Sequence, residues 1–225
     1  MSVTPPLPRL LLLPRADYVA GDRDDPLRFY FAPLVGRFYR RRLELCLAEC
    51  RGGERVLEVG FGSGVSLRNL AALYREVHGL DLHPRRDEVA AVFSRHGLAP
   101  RLLTGDVRAL PYPDAFFDTV LAVSILEHLR PADLRLACAE IARVLKPGGQ
   151  AIYGVPVERD LMVWAFAALG CDIRRHHFST ERDVERAADA VLDEVRMVAM
   201  RAPVVGGLLG AIYEVGHFRR RGVPA

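Results

Sequence analysis

Between positions 55 and 155 the chain alternates between two hydrophobic periods. Short β-branched runs are followed by segments whose apolar residues recur every three or four positions. Residues 55–59 predict a strand running into glycines, and 66–74, with Leu67, Leu70 and Leu73, predict a helix. A strand over 76–82, a helix over 85–95 closing at His96-Gly97, and a strand over 101–104 follow. Residues 117–123 are apolar on both faces, as in the middle of a parallel sheet. A helix over 131–145 has Pro131 near its start, an apolar face of Leu134, Cys138, Ile141 and Leu145, and Gly148-Gly149 beyond its end. Residues 151–155 predict a fifth strand. Such alternation implies right-handed crossovers and a parallel sheet covered on both faces.

The flanks read differently. Residues 1–26 are rich in proline and then in acid (Gly21 to Asp25) and form an extended arm. Residues 27–50 suit one or two helices interrupted near Pro33 and Gly36. After Pro156 come helical segments over 161–169 and 181–192, the second opened by the capping pair Thr180 and Asp183, then closing strands over 195–200 and 211–218. At 225 residues the chain is the size of one α/β domain. We divide it into the arm and a single domain, 27–225, made of a helical segment (27–50), an alternating core (55–156) and a closing region (157–225).

Composition narrows the picture modestly. Half the residues are hydrophobic, enough for a sizeable core, and the net charge of +3 gives no argument for a nucleic-acid partner. The runs Arg40-Arg41-Arg42 and Arg219-Arg220-Arg221 read as solvated faces, able to hold an acidic substrate or a membrane surface if the fold joins them. Cys46, Cys50, Cys138 and Cys171 form no C-x-x-C pair and suit the reduced thiols of a cytoplasmic protein. Cys46 and Cys50, four apart on one helix, read as small core hydrophobes. The Leu10–Leu13 run lies between Pro8 and Pro14, too short for a signal peptide, and no stretch reaches the ~20 apolar residues of a membrane span. Residues 202–221 read as a buried closing hairpin in preference to a membrane-interface element.

The sharpest local signal is VLEVGFGSG, residues 56–64. Gly60, Gly62 and Gly64 let the backbone turn tightly and let a ligand approach the main chain. A dinucleotide fingerprint would place glycine at position 65; Val65 stands there, which disfavours a nicotinamide-dependent oxidoreductase. Glu58 beside the loop suits a cationic ligand and would repel a pyrophosphate. S-adenosylmethionine carries a sulfonium and an ammonium and no phosphate. Asp81, about 20 residues after Gly60 at a strand end, sits where a carboxylate accepts ribose hydroxyls. Asp106 ends the third strand, where a carboxylate can meet the adenine amino group.

With VLEVGFGSG, GLDLHP, GDVRALPYPDAFFD, VLAVSILEHL and RVLKPGG in order, residues 55–156 resemble the class I S-adenosylmethionine-dependent methyltransferases of the ubiquinone/menaquinone-methyltransferase-like group. The resemblance implies a Rossmann-like three-layer α/β sandwich with a seven-stranded sheet of order 3-2-1-4-5-7-6 and the seventh strand antiparallel. It implies that Gly60, Phe61, Gly62 and Gly64 lie under the cofactor and that Glu58 supports its methionine end. Asp81 and Leu82 would flank the ribose, Asp106 and the Val107 amide would meet the adenine, and the Ser124 carbonyl would face the methionine ammonium. Tyr30, Phe31 and Tyr39 are either a lid over the methionine end or ordinary core.

The expected activity is transfer of a methyl group to oxygen or carbon of a small organic acceptor, hydrophobic if residues 202–221 meet a lipid surface. Residues 124–127 replace the N-P-P-Y segment of nucleobase and amide methylators. His128 and His177 are the candidate general bases, His128 having positioning of the next helix as its alternative role. No metal site is expected: His176 and His177 would point to opposite sides of an extended segment. A cofactor-binding sensor or scaffold without catalysis uses the same glycines and acids, and oligomeric state is left open.

Overall fold

A computed structural model of the chain describes residues 8–20, 25–83, 85–157, 177–201 and 210–222. Seven strands, β1 (Gly53–Val59), β2 (Tyr74–Asp81), β3 (Arg101–Thr104), β4 (Phe117–Val123), β5 (Leu145–Pro156), β6 (Leu192–Arg201) and β7 (Ala211–Arg220), form one sheet of order β3-β2-β1-β4-β5-β7-β6. Strands β1 to β5 pair in parallel, whereas β7 runs antiparallel to both β5 and β6. This is the order, with the one reversed strand, that the family resemblance implies.

The period of two along each strand sorts its side chains into two cores. Val56, Val77, Leu121, Ile152 and Val215 face one core with residues of α2 (Val35–Glu49), α3 (Leu67–Leu73) and α4 (Arg86–Arg95). Their neighbours Leu57, Leu80, Val120, Ala151 and Phe218 face a second, closed by α5 (Pro131–Val144) and by α6 (Glu181–Asp189). Because both faces are buried, the central strands are apolar at consecutive positions. Leu121 is fully buried at the centre, so Leu121→Ala should cost about 2–5 kcal/mol.

The β5 strand begins well ahead of the apolar run that announces it. Leu145 pairs with Phe117, the register then shifts, and pairing resumes at Gln150 with Thr119. The sole lysine, Lys146, lies in this irregular stretch and donates to Asp118 Oδ1 at 2.6 Å, while Asp118 Oδ2 accepts the Glu54 and Arg55 amides at 3.0 and 2.7 Å. Asp118 therefore ties the entry ends of β1, β4 and β5. The capping box at Thr180 and Asp183 forms as expected. The helix expected over 161–169, Cys171 and His176 lie outside the described residues.

The described part of the N-terminal arm is sutured to the core. Leu10 and Leu13 are buried, the Leu10 amide donates to Glu44 Oε1 at 3.1 Å, and Asn69 bridges the Leu11 amide and the Arg9 carbonyl. It leads to α1 (Leu27–Tyr30) and to α2, which packs on β4, β5 and β7.

The arginine runs depart from expectation. Arg41 is exposed, but Arg42 is only 8 % exposed, on the face of α2 that also buries Leu43 and Cys46. Three consecutive helical residues fan through about 200°, so a helix packed on a sheet cannot hold all three in water. Arg220 donates to the carbonyls of Leu145 and Arg143, and Arg221 pairs with Asp193. The two runs do not meet: Arg42 lies at the carboxyl edge beside Ser124, Arg220 beside Leu145 at the opposite edge. Among the described residues no helix is long and apolar enough to cross a membrane.

Candidate active site

The site is built on the loop between β1 and α3. Gly60 and Gly62 have φ of 74° and 50°, in the left-handed region where a side chain is strained. At Gly60 a Cβ would land inside the Ile125 side chain, so the tip of β4 packs directly on the loop. The central residue of the loop, Gly62, is held through both its amide and its carbonyl. Asp81 Oδ2 accepts the Gly62 amide at 2.8 Å, and His83 Nε2 lies 3.1 Å from the Gly62 carbonyl. His83 Nδ1 accepts the Arg85 amide at 3.1 Å, so the proton resides on Nε2, which donates. The His83 amide in turn donates to Asp81 Oδ1 at 3.2 Å. A carboxylate offers about four acceptor sites, so Asp81 keeps capacity for two hydroxyls at the sheet edge. Leu82 beside it is 72 % exposed, an apolar surface open to a planar ring.

Glu58 is buried in β1. One oxygen accepts the Ser66 hydroxyl; the other, Oε2, is buried without a hydrogen-bond partner. Burial pushes its carboxyl up to about 8, with the Ser66 hydroxyl opposing that shift. A buried carboxylate oxygen without a donor is an open place for a cation or an N–H group. The glycine cradle, Glu58 and Asp81 thus fit the methionine and ribose ends of S-adenosylmethionine.

Two expected contact residues are differently engaged. The Phe61 side chain turns into the core, 3 % exposed, edge-on to His83 at 5.0 Å, leaving only its backbone to the loop surface. Asp106 is taken by Arg108, whose Nε sits 3.0 Å from both carboxylate oxygens. That guanidinium holds the Asp106 carboxyl below its ordinary range. The pair is exposed and therefore weak, so it can yield to another donor. Val107, next along, is buried.

The other half of the edge gathers around the tip of β4. Ser124 also has a left-handed φ, 54°, and its amide donates to the Gly154 carbonyl at 2.7 Å. Its hydroxyl lies 3.1 Å from Tyr213 Oη of β7 and 3.4 Å from Arg42 Nη1 of α2. Tyr30 is buried close to Arg42 and Tyr39 lies under the Arg42 guanidinium, whereas Phe31 packs on Tyr18. Just beyond, the Glu127 carbonyl accepts the amides of Phe178 and Ser179 at 2.9 and 3.1 Å, which brings His177 to His128 with ring centroids 5.0 Å apart. Ligand atoms of Glu127, His128 and His177 all lie within 4.8 Å of one another, a spacing a metal ion would also accept.

Three residues of the site were missed in the sequence. Asp25, in the acid-rich arm, accepts the Ser63 hydroxyl at 3.3 Å on the glycine loop. His83 was readable in principle, two positions after Asp81 and so on the same side of an extended segment. Arg42 was hidden in a charged run.

A family model described as "Methyltransferase domain" matches residues 57–153. The chain is 36% identical over 156 residues to the fatty-acid O-methyltransferase of Mycolicibacterium smegmatis, covering 65% of this chain and 56% of that protein. It is 33% identical over 153 residues to the protein-L-isoaspartate O-methyltransferase of Myxococcus xanthus, covering 64% of this chain and 68% of that one. The chain belongs to the class I methyltransferases. The methyltransferase sheet also aligns with the crystal structure of N-methyltransferase NodS from Bradyrhizobium japonicum in complex with S-adenosyl-L-homocysteine, with a TM-score of 0.67 and 20% identity over 89% of this chain and 94% of that one. This is a likeness of fold. The methyltransferase chain spans about half the length of the first curated relatives it matches, 56%, 45% and 46% of three of them.

Proposed function

We propose that this chain is an S-adenosylmethionine-dependent methyltransferase that methylates an oxygen atom of a small organic acceptor. The observation that carries the reading is the buried, donorless Glu58 oxygen behind a glycine loop whose central peptide is braced by Asp81. That combination suits a cationic, phosphate-free nucleoside. The choice of oxygen follows the M. smegmatis and M. xanthus relatives, both named as O-methyltransferases.

The cofactor, when bound, supplies a methyl group already activated on a sulfonium. The chain has then to orient and to exclude water, effects together worth up to ~7–11 kcal/mol in well-aligned cases. Glu58 and the Ser124 carbonyl hold the ammonium end, Asp81 and Leu82 the ribose, and Asp106 with the Val107 amide the adenine. His128 and His177 face the acceptor side; if the acceptor arrives protonated, one of them takes the proton, through Nδ1 or Nε2.

Calorimetric titration with S-adenosylhomocysteine tests the reading. Micromolar or tighter binding is expected, with loss in Glu58→Ala, and absence of heat with the wild type would sink it. Transfer of labelled methyl to a small-metabolite extract tests catalysis. Intact binding with no transfer would instead fit a sensor or scaffold. Unaltered turnover in His128→Ala and His177→Ala would remove the base role from both.

A further inference from the structure

We propose that Arg42 is the anion-recognition group of the acceptor pocket and that the methyl acceptor is a carboxylate, so that the product is a methyl ester. This rests on the methyltransferase reading above. Arg42 is 8 % exposed and forms no ion pair among the described residues. Its Nε has no hydrogen-bond partner, and the Nη1 contact to Ser124 Oγ is long at 3.4 Å. The guanidinium is surrounded by ring faces instead: Tyr39 at 4.1 Å, Tyr213 at 5.1 Å and Phe38 at 5.6 Å from its central carbon. Such faces stabilise the charge but satisfy none of its N–H donors.

Arginine cannot shed its proton to escape burial; the charge of the buried Glu127 reaches Arg42 but leaves its Nε donor open, so the guanidinium has a place for a further anion. A carboxylate is the anion whose two oxygens match the guanidinium fork. Position decides which carboxylate. The neighbours of Arg42 are Tyr30 of α1, Tyr39 of α2, Tyr213 of β7 and, past the tip of β4, the hydroxyl of Ser124 and the charge of Glu127; the Ser124 group assigned to the cofactor is its carbonyl, and no neighbour comes from the glycine loop. Electrostatics agrees: a buried guanidinium and a nearby sulfonium repel each other, and an anion between them is drawn to both.

The chemistry is self-contained. One carboxylate oxygen forms the new C–O bond as the C–S bond breaks with its electron pair passing to sulfur. Anion and sulfonium become neutral ester and neutral thioether, and no proton moves. For such an acceptor His128 and His177 line the pocket without acting as bases.

The test supplies S-adenosylmethionine with a labelled methyl group to the protein, with a small-metabolite extract and with octanoate and phenylacetate as defined probes against octanol and phenylethanol. Dilute alkali releases the label of a methyl ester as methanol, whereas an ether or C-methyl product retains it. The expected result is alkali-labile label from acids and none from alcohols. Arg42→Gln should lower kcat/KM for the acids roughly 100-fold, with partial recovery in Arg42→Lys. The dissociation constant of S-adenosylhomocysteine should change less than threefold in both variants. Only alkali-stable label, or none despite tight S-adenosylhomocysteine binding, overturns the proposal. It also falls if Arg42→Gln weakens S-adenosylhomocysteine as much as it slows turnover while 5′-methylthioadenosine, which lacks the amino-acid end, binds both proteins equally. Arg42 would then serve the cofactor's own carboxylate. Wild-type protein that binds no S-adenosylhomocysteine overturns the methyltransferase reading itself, and that titration tells the two failures apart. Thermal unfolding controls for folding, and Arg42→Lys keeps the buried charge where Arg42→Gln is unstable.

Discussion

Over β1 and β2 the sheet edge is assembled by residues close in sequence: Gly62 meets Asp81 and His83 across separations of 19 and 21 residues. Over β4 and β7 the same edge is assembled from far apart: Ser124 meets Arg42 and Tyr213 across 82 and 89 residues. The first half is main chain held by short-range braces. The second is a set of side chains from separate elements, each replaceable without disturbing the loop. The halves meet at Ser124, whose hydroxyl joins Arg42 and Tyr213, so changes to those long-range side chains leave the loop's own braces in place.

The largest expected effect comes from breaking the junction of the halves. Gly60→Val places a branched side chain in the volume of Ile125 at a left-handed φ. We expect a loss of about 3–5 kcal/mol in thermal denaturation; an unchanged Tm would show that the β4 tip does not rest on the loop. Next is Asp81→Ala, which removes the brace on Gly62. S-adenosylhomocysteine affinity should fall roughly 10- to 100-fold with acceptor KM nearly unchanged, and equal losses in both would erase the distinction.

A pH series sharpens it further. The Glu58 carboxyl is held up to about 8 by burial, against an ordinary value of 4.5. Between those values the folded protein keeps a proton that the unfolded chain has released, so the stability of the free protein falls as pH rises from about 4.5 to about 8. Cofactor affinity runs the other way, because an ammonium needs the ionised carboxylate. Titrations should show S-adenosylhomocysteine tightening several-fold on raising pH to about 8, and Glu58→Gln should flatten both slopes. The smallest effect belongs to Tyr213→Phe, which removes one hydroxyl beside Ser124. It should cost about 1 kcal/mol or less of stability and leave S-adenosylhomocysteine binding unchanged.

The same contrast governs what could be read in advance. Strands and helices from β1 to α5 were legible because hydrophobic period is a local property, and the glycine loop and Asp81 because backbone turns demand particular residues within a few positions. The start of β5 was not, since Leu145 joins the sheet only through its partner Phe117. Nor was the inward turn of Phe61, the pairing of Asp106 with Arg108, or the reach of Asp25 to Ser63. Each depends on what another element presents.

From its own residues the chain determined the alternation of strand and helix, and with it a covered parallel sheet having a cationic-nucleoside loop at one edge. Only the folded molecule decided which charges leave water. Arg40, Arg41 and Arg42 are chemically identical along the chain, and their fates diverge because solvation belongs to the packed surface around a side chain. One of them is buried among aromatic rings with its Nε donor open.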